Sequence, residues 1–208
     1  MKKLLLTGFE PFGGFKNNPS DMIVQELNGQ IINSIQVIGS TISLRYNEIQ
    51  VQIDNLIKKY QPDIVINLGQ ATRPAISIEK IAINLADASK IAYNCGSKPD
   101  EEILVREGPD AYFSSLPVKE LVNHLKENNI PCYISHSAGT FGCNQIMYYT
   151  LHYLVNASPS RQCGFIHLPL LPDQTVKNPQ APSMGYETMK KGIQLIIGKL
   201  GEIQNKIT

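Results

Sequence analysis

Cys143 stands where the glycine-rich stretch HSAGTFG passes into the helical pattern CNQIMYYTLHYL, residues 143–154. A thiol in the first turn of a helix faces backbone N–H groups without intrahelical acceptors and the positive end of the helix dipole. Such a setting lowers a cysteine pKa from its free value of roughly 8.5. The same N–H groups can receive an oxyanion when sulfur attacks a carbonyl. Gly139 and Gly142 let the backbone turn tightly and let a substrate approach. The chemistry implied is acyl transfer to a thiolate. Cys132 and Cys163 fall in strand patterns and read as core residues.

A cysteine nucleophile needs a base that holds a proton near neutral pH, which points to histidine. His124 and His152 fall within helical patterns and read as packing or surface residues. His136 is close to Cys143 in sequence, but such partners usually meet only in the fold. His167, at the tip of the strand pattern QCGFIHLP, is favoured, with His136 as the fallback. A third group should accept the other ring N–H and orient the imidazole. Spacing alone leaves Glu79, Glu10 and Asp87 open for that role, and Glu79 can equally pair with Lys80 or Arg73.

The elements that must hold these groups alternate. KKLLLT, IQVIGSTIS, DIVINLG, EKIAINLAD, PCYIS and QCGFIHLP read as strands. Helices are expected from Asn18–Pro19 to Leu27, over 49–60, around LPVKELVNHLKENNI, after Cys143 and in GYETMKKGIQLIIGKLGEI. The wholly apolar DIVINLG marks a strand buried on both faces. Alternation of this kind implies a mainly parallel sheet covered on both sides, in one domain spanning 1–208. In such sheets sites gather beyond the carboxyl ends of the strands. GFEPFGG, GQATRPAISIEK, HSAGTFGCN and His167 all leave strand ends and are expected on one edge.

The 208 residues carry 19 Lys plus Arg against 18 Asp plus Glu. That balance gives no electrostatic reason to expect nucleic acid or an anionic membrane. Gly8 and Glu10 end the apolar run of the N-terminus too early for a signal peptide. No stretch approaches the roughly 20 apolar residues of a membrane span, and a cytoplasmic location is expected. No two cysteines form a CxxC pair, which argues against a zinc site. A reducing compartment argues against disulfides.

Several segments in order, "LLTGFEPFGGFKNNPS", "GQATRPAISIEKIAIN", "PDAYFSSLPVK", "SAGTFGCN" and "GFIHLPLLPDQ" followed by "PSM", resemble the pyroglutamyl peptidase (pyrrolidone-carboxylate peptidase) family. The likeness runs through most of the chain. It implies a three-layer α/β/α sandwich with a mainly parallel or mixed central sheet, of phosphorylase/hydrolase-like type. It also implies a cytoplasmic homotetramer or dimer without metal or organic cofactor. The activity implied is removal of an N-terminal pyroglutamyl residue from small peptides through a thioester. The resemblance places the nucleophile on Cys143, the base on His167 and the orienting acid on Glu79. It places substrate contacts on Phe9, Phe12, Asn18 and Gln70. Apolar walls with a few aimed hydrogen bonds suit an uncharged lactam.

Three departures stand out. GQATR is one residue shorter than the family's GQAGGR, and ADASKIAYN lacks the arginine that the family usually carries there, with Lys90 the nearest cation. Gly142 replaces the usual valine before the nucleophile. Lysine lacks arginine's planar fork, so that exchange bears on rate and preference. Two other readings stay in view. A nucleoside phosphorolytic transferase would use GFEPFGGFKNNPS as an anion loop, but GxGxxG and GxxxxGK spacings are missing and the thiol would have no task. A non-catalytic binder would keep the pocket and lack thiol-dependent cleavage.

Overall fold

A strand whose residues are apolar on both sides, such as Leu4–Leu5–Leu6 or Ile64–Val65–Ile66, is stable only if both faces of its sheet are covered. The computed structural model describes residues 1–157 and 160–207 and gives these strands that place. Among the described residues the strands are β1 (Lys2–Phe9), β2 (Ile31–Ile32), β3 (Ile35–Ile42), β4 (Ile64–Gln70), β5 (Ile76–Glu79), β6 (Ile81–Ile83), β7 (Ala111–Phe113), β8 (Cys132–Ser135) and β9 (Gln162–Leu168). The helices are α1 (Pro19–Leu27), α2 (Ile49–Tyr60), α3 (Val118–Glu127), α4 (Gly142–Ala157) and α5 (Tyr186–Ile207).

Seven strands form one sheet in the order β2-β3-β1-β4-β9-β5-β8, while β6 and β7 pair separately. Even-numbered residues of β4 and β9, such as Ile66, Leu68, Ile166 and Leu168, meet α1, α3 and α5 in one core. Odd-numbered Val65, Cys163 and Phe165 meet α2 and α4 in the other. This is a three-layer α/β/α sandwich around a mixed sheet. Local signals set the helix ends. Asn18 caps α1, its Oδ1 accepting the N–H of Ser20 at 3.0 Å, and Pro19 opens the helix. Gln61, at φ 47°, closes α2 in the left-handed conformation just before Pro62. The backbone of α1 comes so close to the sheet that a Cβ on Gly39 would lie 2.5 Å from the carbonyl oxygen of Val24.

Two expectations need correction. EKIAINLAD is not one strand: the chain leaves the main sheet at Lys80, so that β5 belongs to it and β6 pairs with β7. The sheet edge is also not uniform. β3, β1, β4 and β9 run parallel, but β5 is antiparallel to β9, and β8 follows β5. The cause is length. Only residues 71–75 join β4 to β5, too few for a parallel crossover, which needs roughly a dozen. GFEPFGG, GQATR and His167 therefore share one edge, while HSAGTFGCN arrives from a strand of opposite direction.

Candidate active site

Period-two alternation puts Ser77 and Glu79 on the α2/α4 face of β5, and Gly69 and His167 on the same face of β4 and β9. Ser77 is the register partner of His167, and Gly69 pairs with His167 from the other side. Cys143 lies in the first turn of α4, above this row. A Cβ on Gly69 would sit 2.8 Å from Cys143 Sγ and 2.7 Å from Phe165 Cζ. The sulfur thus occupies space that a side chain at 69 would fill, directly over the strand beside His167. Glycine at 69 is required by this close approach.

Glu79 is fully buried, and its Oε1 lies 2.8 Å from His167 Nδ1. The same oxygen accepts from Arg73 Nη1 at 2.7 Å and from Ser77 Oγ at 3.1 Å. Burial works to raise the Glu79 carboxyl, but the hydrogen bond and charge of His167, helped by Ser135 and Arg73, hold it below its ordinary value. An ionised Glu79 can only accept, so Nδ1 carries the hydrogen and Nε2 is the basic nitrogen. Burial lowers the His167 pKa despite Glu79, and Arg73 pushes the same way; the ring is neutral at neutral pH. His167 also packs against Phe165, ring centroids 4.7 Å apart.

The expected resting thiolate is corrected by its surroundings. Burial first, and the negative charge of Glu79 second, push the Cys143 thiol up to about 12, against Arg73 and the residue's own amide. Loss of solvation outweighs the helix terminus, so the proton sits on sulfur until something removes it.

The helix that carries Cys143 is fixed from below and beside. Asn144 Nδ2 donates to the carbonyls of Ile83 and Leu85, both at 2.9 Å, and its Oδ1 accepts from Ile83 N at 2.9 Å. Thr7 Oγ1 donates to Asn67 Oδ1 at 2.7 Å, and Asn67 Nδ2 donates to Thr150 Oγ1 at 3.1 Å, tying β1, β4 and α4 together. Gly139, at φ 80°, turns the preceding loop, and Thr140 Oγ1 donates to Asp87 O at 3.0 Å.

The residues expected to touch substrate divide. Phe12 is partly buried, its ring 6.1 Å from Phe141, which in turn lies 4.3 Å from Tyr93. These rings stand beside the start of α4. Phe9 is buried within the same apolar cluster. Asn18 is committed to capping: Oδ1 accepts from Ser20 N and Oγ, and Nδ2 donates to Glu10 O. Gln70 ends β4 on the opposite face from Gly69, and its Oε1 accepts from Gln174 Nε2 at 3.0 Å. Glu10 braces loops instead, Oε1 accepting from Ser43 Oγ, Leu44 N and Asn94 Nδ2. Asp87 Oδ1 accepts from Ser89 N. His136 is exposed; His152 stacks on Tyr148 at 10°. Lys90 is exposed and lines a cavity of about 260 Å³ with Asp87, Ile91, Thr140 and Phe141.

Sequence reasoning gave Phe141 and Asn144 no part here, and it named Arg73 only as a possible ion-pair partner of Glu79, which the structure makes it alongside His167. Arg73 had a signal: it precedes Ser77 and Glu79, which period two places on one face. The glycine before Cys143 also has a local reason, since a Cβ at Gly142 would collide with Leu44 Cδ1 and touch Tyr93 Cε1 at 3.6 Å. Among the described residues no group of three or more His, Cys, Asp and Glu is placed to hold a metal ion, and no helix is long and apolar enough to cross a membrane.

Comparison with known proteins gives one answer. The family model described as pyroglutamyl peptidase matches residues 2–201. A pyrrolidone-carboxylate peptidase of Vibrio vulnificus (strain YJ016) is 43% identical over 199 residues, covering 95% of this chain and 92% of the relative. One from Yersinia pestis (strain Pestoides F) is 37% identical over 208 residues, covering 100% and 96%. Among solved structures, the pyrrolidone carboxyl peptidase from Thermococcus litoralis superposes with a TM-score of 0.94 at 37% identity, covering 99% of this chain and 96% of that one. That from Pyrococcus furiosus gives 0.92 at 38%, covering 97% and 99%.

Proposed function

The chain belongs to the pyroglutamyl peptidase family, and from that premise we propose that it is a cysteine exopeptidase cleaving after an N-terminal pyroglutamyl residue. One observation carries the assignment of roles: Glu79 holds His167 by Nδ1, and Cys143 Sγ rests over Gly69, the register partner of that histidine. His167 Nε2 takes the thiol proton as sulfur attacks the carbonyl joining pyroglutamate to the next residue. Because the resting thiol is protonated, sulfur becomes a nucleophile only as His167 takes its proton. First-turn N–H groups of α4 receive the oxyanion. Imidazolium, steadied by Glu79, donates its proton to the leaving amine. Water activated by the neutral ring then attacks the thioester carbonyl, the C–S bond breaks, and the thiol regains its proton.

Phe12 and Phe141 offer faces for the lactam, with Phe9 behind them in the same cluster. Asn18 acts through the frame, capping α1, while Gln70, its Oε1 held by Gln174, turns its Nε2 donor to the substrate. Residues 1–208 act as one domain, in the cytoplasm, as a homotetramer or dimer whose size sedimentation measures. Release of a dye from a pyroglutamyl conjugate tests the activity: Cys143→Ala abolishes it in a folded protein. Unchanged turnover removes Cys143 from the role.

A further inference from the structure

Arg73 lies in the short link between β4 and β5, with a side chain 20% exposed. Each end of its guanidinium is engaged. Nη1 donates to Glu79 Oε1 at 2.7 Å and to Ser77 Oγ at 2.6 Å, and Nη2 donates to the carbonyl of Ser137 at 3.0 Å. Ser137 belongs to the loop that ends at Cys143. One side chain therefore bridges the strand bearing the acid and the loop bearing the nucleophile.

We propose that Arg73 is a positioning residue for the reaction, clamping the Glu79 carboxylate to the nucleophile loop so that acid, base and thiol keep one geometry. The inference rests on the exopeptidase reading for its kinetic part. Glu79 faces a neutral imidazole at rest, and a buried carboxylate without a counterion is strongly disfavoured. Arg73 supplies the counterion. When the proton passes from Sγ to Nε2, sulfur becomes negative and the ring positive, and the four charges alternate with no net change. Lysine cannot reproduce this arrangement, because one ammonium lacks the planar fork that reaches Glu79 and Ser137 together.

Around the imidazole the charged and titratable groups are Glu79 on β5, Arg73 before it and Cys143 on α4; Tyr93 faces the thiol from the 88–109 stretch. The positive charge of Arg73 disfavours protons on His167, Glu79 and Cys143 alike. Its removal raises the proton affinity of both thiol and imidazole, so the acid limb of the rate profile moves to higher pH whichever group governs it.

The test compares Arg73→Gln and Arg73→Lys by kcat and KM against pH on a pyroglutamyl dye conjugate. In parallel, iodoacetamide alkylation of Cys143 against pH is mapped by mass spectrometry. For R73Q the expected result is a kcat lower by about 100-fold with KM changed less than about threefold, as for lost alignment. Its acid limb and alkylation profile should both move up by about one pH unit, the scale of one lost charge partner. R73K keeps the limb in place but recovers only part of kcat. A folded R73Q with unchanged kcat and limb overturns the proposal. So does a loss that is equal at all pH and tracks only a lower Tm. If R73Q does not fold, R73K decides alone, and an unaltered kcat overturns the clamp. A wild-type protein inactive on pyroglutamyl substrates would sink the exopeptidase reading, yet the alkylation profiles would still judge Arg73.

Discussion

The two faces of the central sheet are built from different materials. Under α1, α3 and α5, the sheet presents Leu4, Leu6, Ile66, Leu68, Ile166 and Leu168 to Ile193, Ile196 and Ile197, apolar through its centre. Under α2 and α4, polar groups thread the packing: Thr7–Asn67–Thr150 first, then Glu79, His167 and Arg73. The buried side-chain atoms without a hydrogen-bond partner among the described residues, Glu79 Oε2, Tyr93 Oη and Gln145 Oε1, also belong to this second side. An apolar contact tolerates small shifts, whereas a buried polar group fixes direction and is costly when left unmet. One face holds the molecule together, and the other gives up stability to hold chemistry in place.

The sharpest way to test that division is to strip the second face of its proposed base. His167→Ala should lower kcat by about 10⁴-fold or more, as for other members of a nucleophile–base unit, with little change in Tm. A large fall in Tm would mean the polar side also carries the fold. Next, Ile193→Ala on the dry face should cost about 2–5 kcal/mol by denaturant unfolding while kcat, measured below the transition, stays near wild type. A kcat loss there would break the comparison.

Gly69→Ala should displace the sulfur, since its Cβ would lie 2.8 Å from Sγ. A drop in kcat of about 100-fold is expected from a shift on the ångström scale. Asn67→Leu should cost about 1–3 kcal/mol by leaving Thr7 and Thr150 without their shared partner.

The smallest effect is with pH. His167 is depressed below its ordinary 6.5 in the fold, so the unfolded chain binds that proton first and stability falls as pH drops below about 6.5. Glu79, also depressed, adds a loss of the same sign at lower pH, as pH falls from its unfolded value through its folded one. Cys143 acts oppositely. Its thiol, raised from 9.0 to about 12, makes stability fall as pH rises through that window. No single group contributes a slope above about 1.4 kcal/mol per pH unit. Unfolding curves from pH 5 to 10, as rough bounds, should lose part of the acid slope in His167→Ala.

Much of this arrangement was legible in the residues. Asn18–Pro19 marked the start of α1, and DIVINLG marked a strand buried on both faces. HSAGTFGCN marked a thiol on a helix start, and β9 ran to Leu168, just before Pro169, with His167 near its tip. Strand direction was the main loss: alternation implies parallel strands, and the brevity of residues 71–75 was the overlooked cue that β5 reverses. The thiol's protonation was also misread, because a helix dipole is visible in sequence while desolvation depends on what packs above it. The pairing of Arg73 with Glu79 was open in the sequence, but its bridge to the loop before Cys143 escaped, since that partner lies far away at 137.

The slot filled by β9 has a consequence for how the enzyme comes into being. This last strand of the sheet enters between β4 and β5, which were made about 90 residues earlier and have bare hydrogen-bonding edges until then. Such non-local pairing is slow, and it brings His167 to Glu79 only when residues 162–168 have emerged. A nascent chain that has not yet made β9 therefore holds Cys143 and Glu79 without His167, and under the proposed roles it has no base to cleave with.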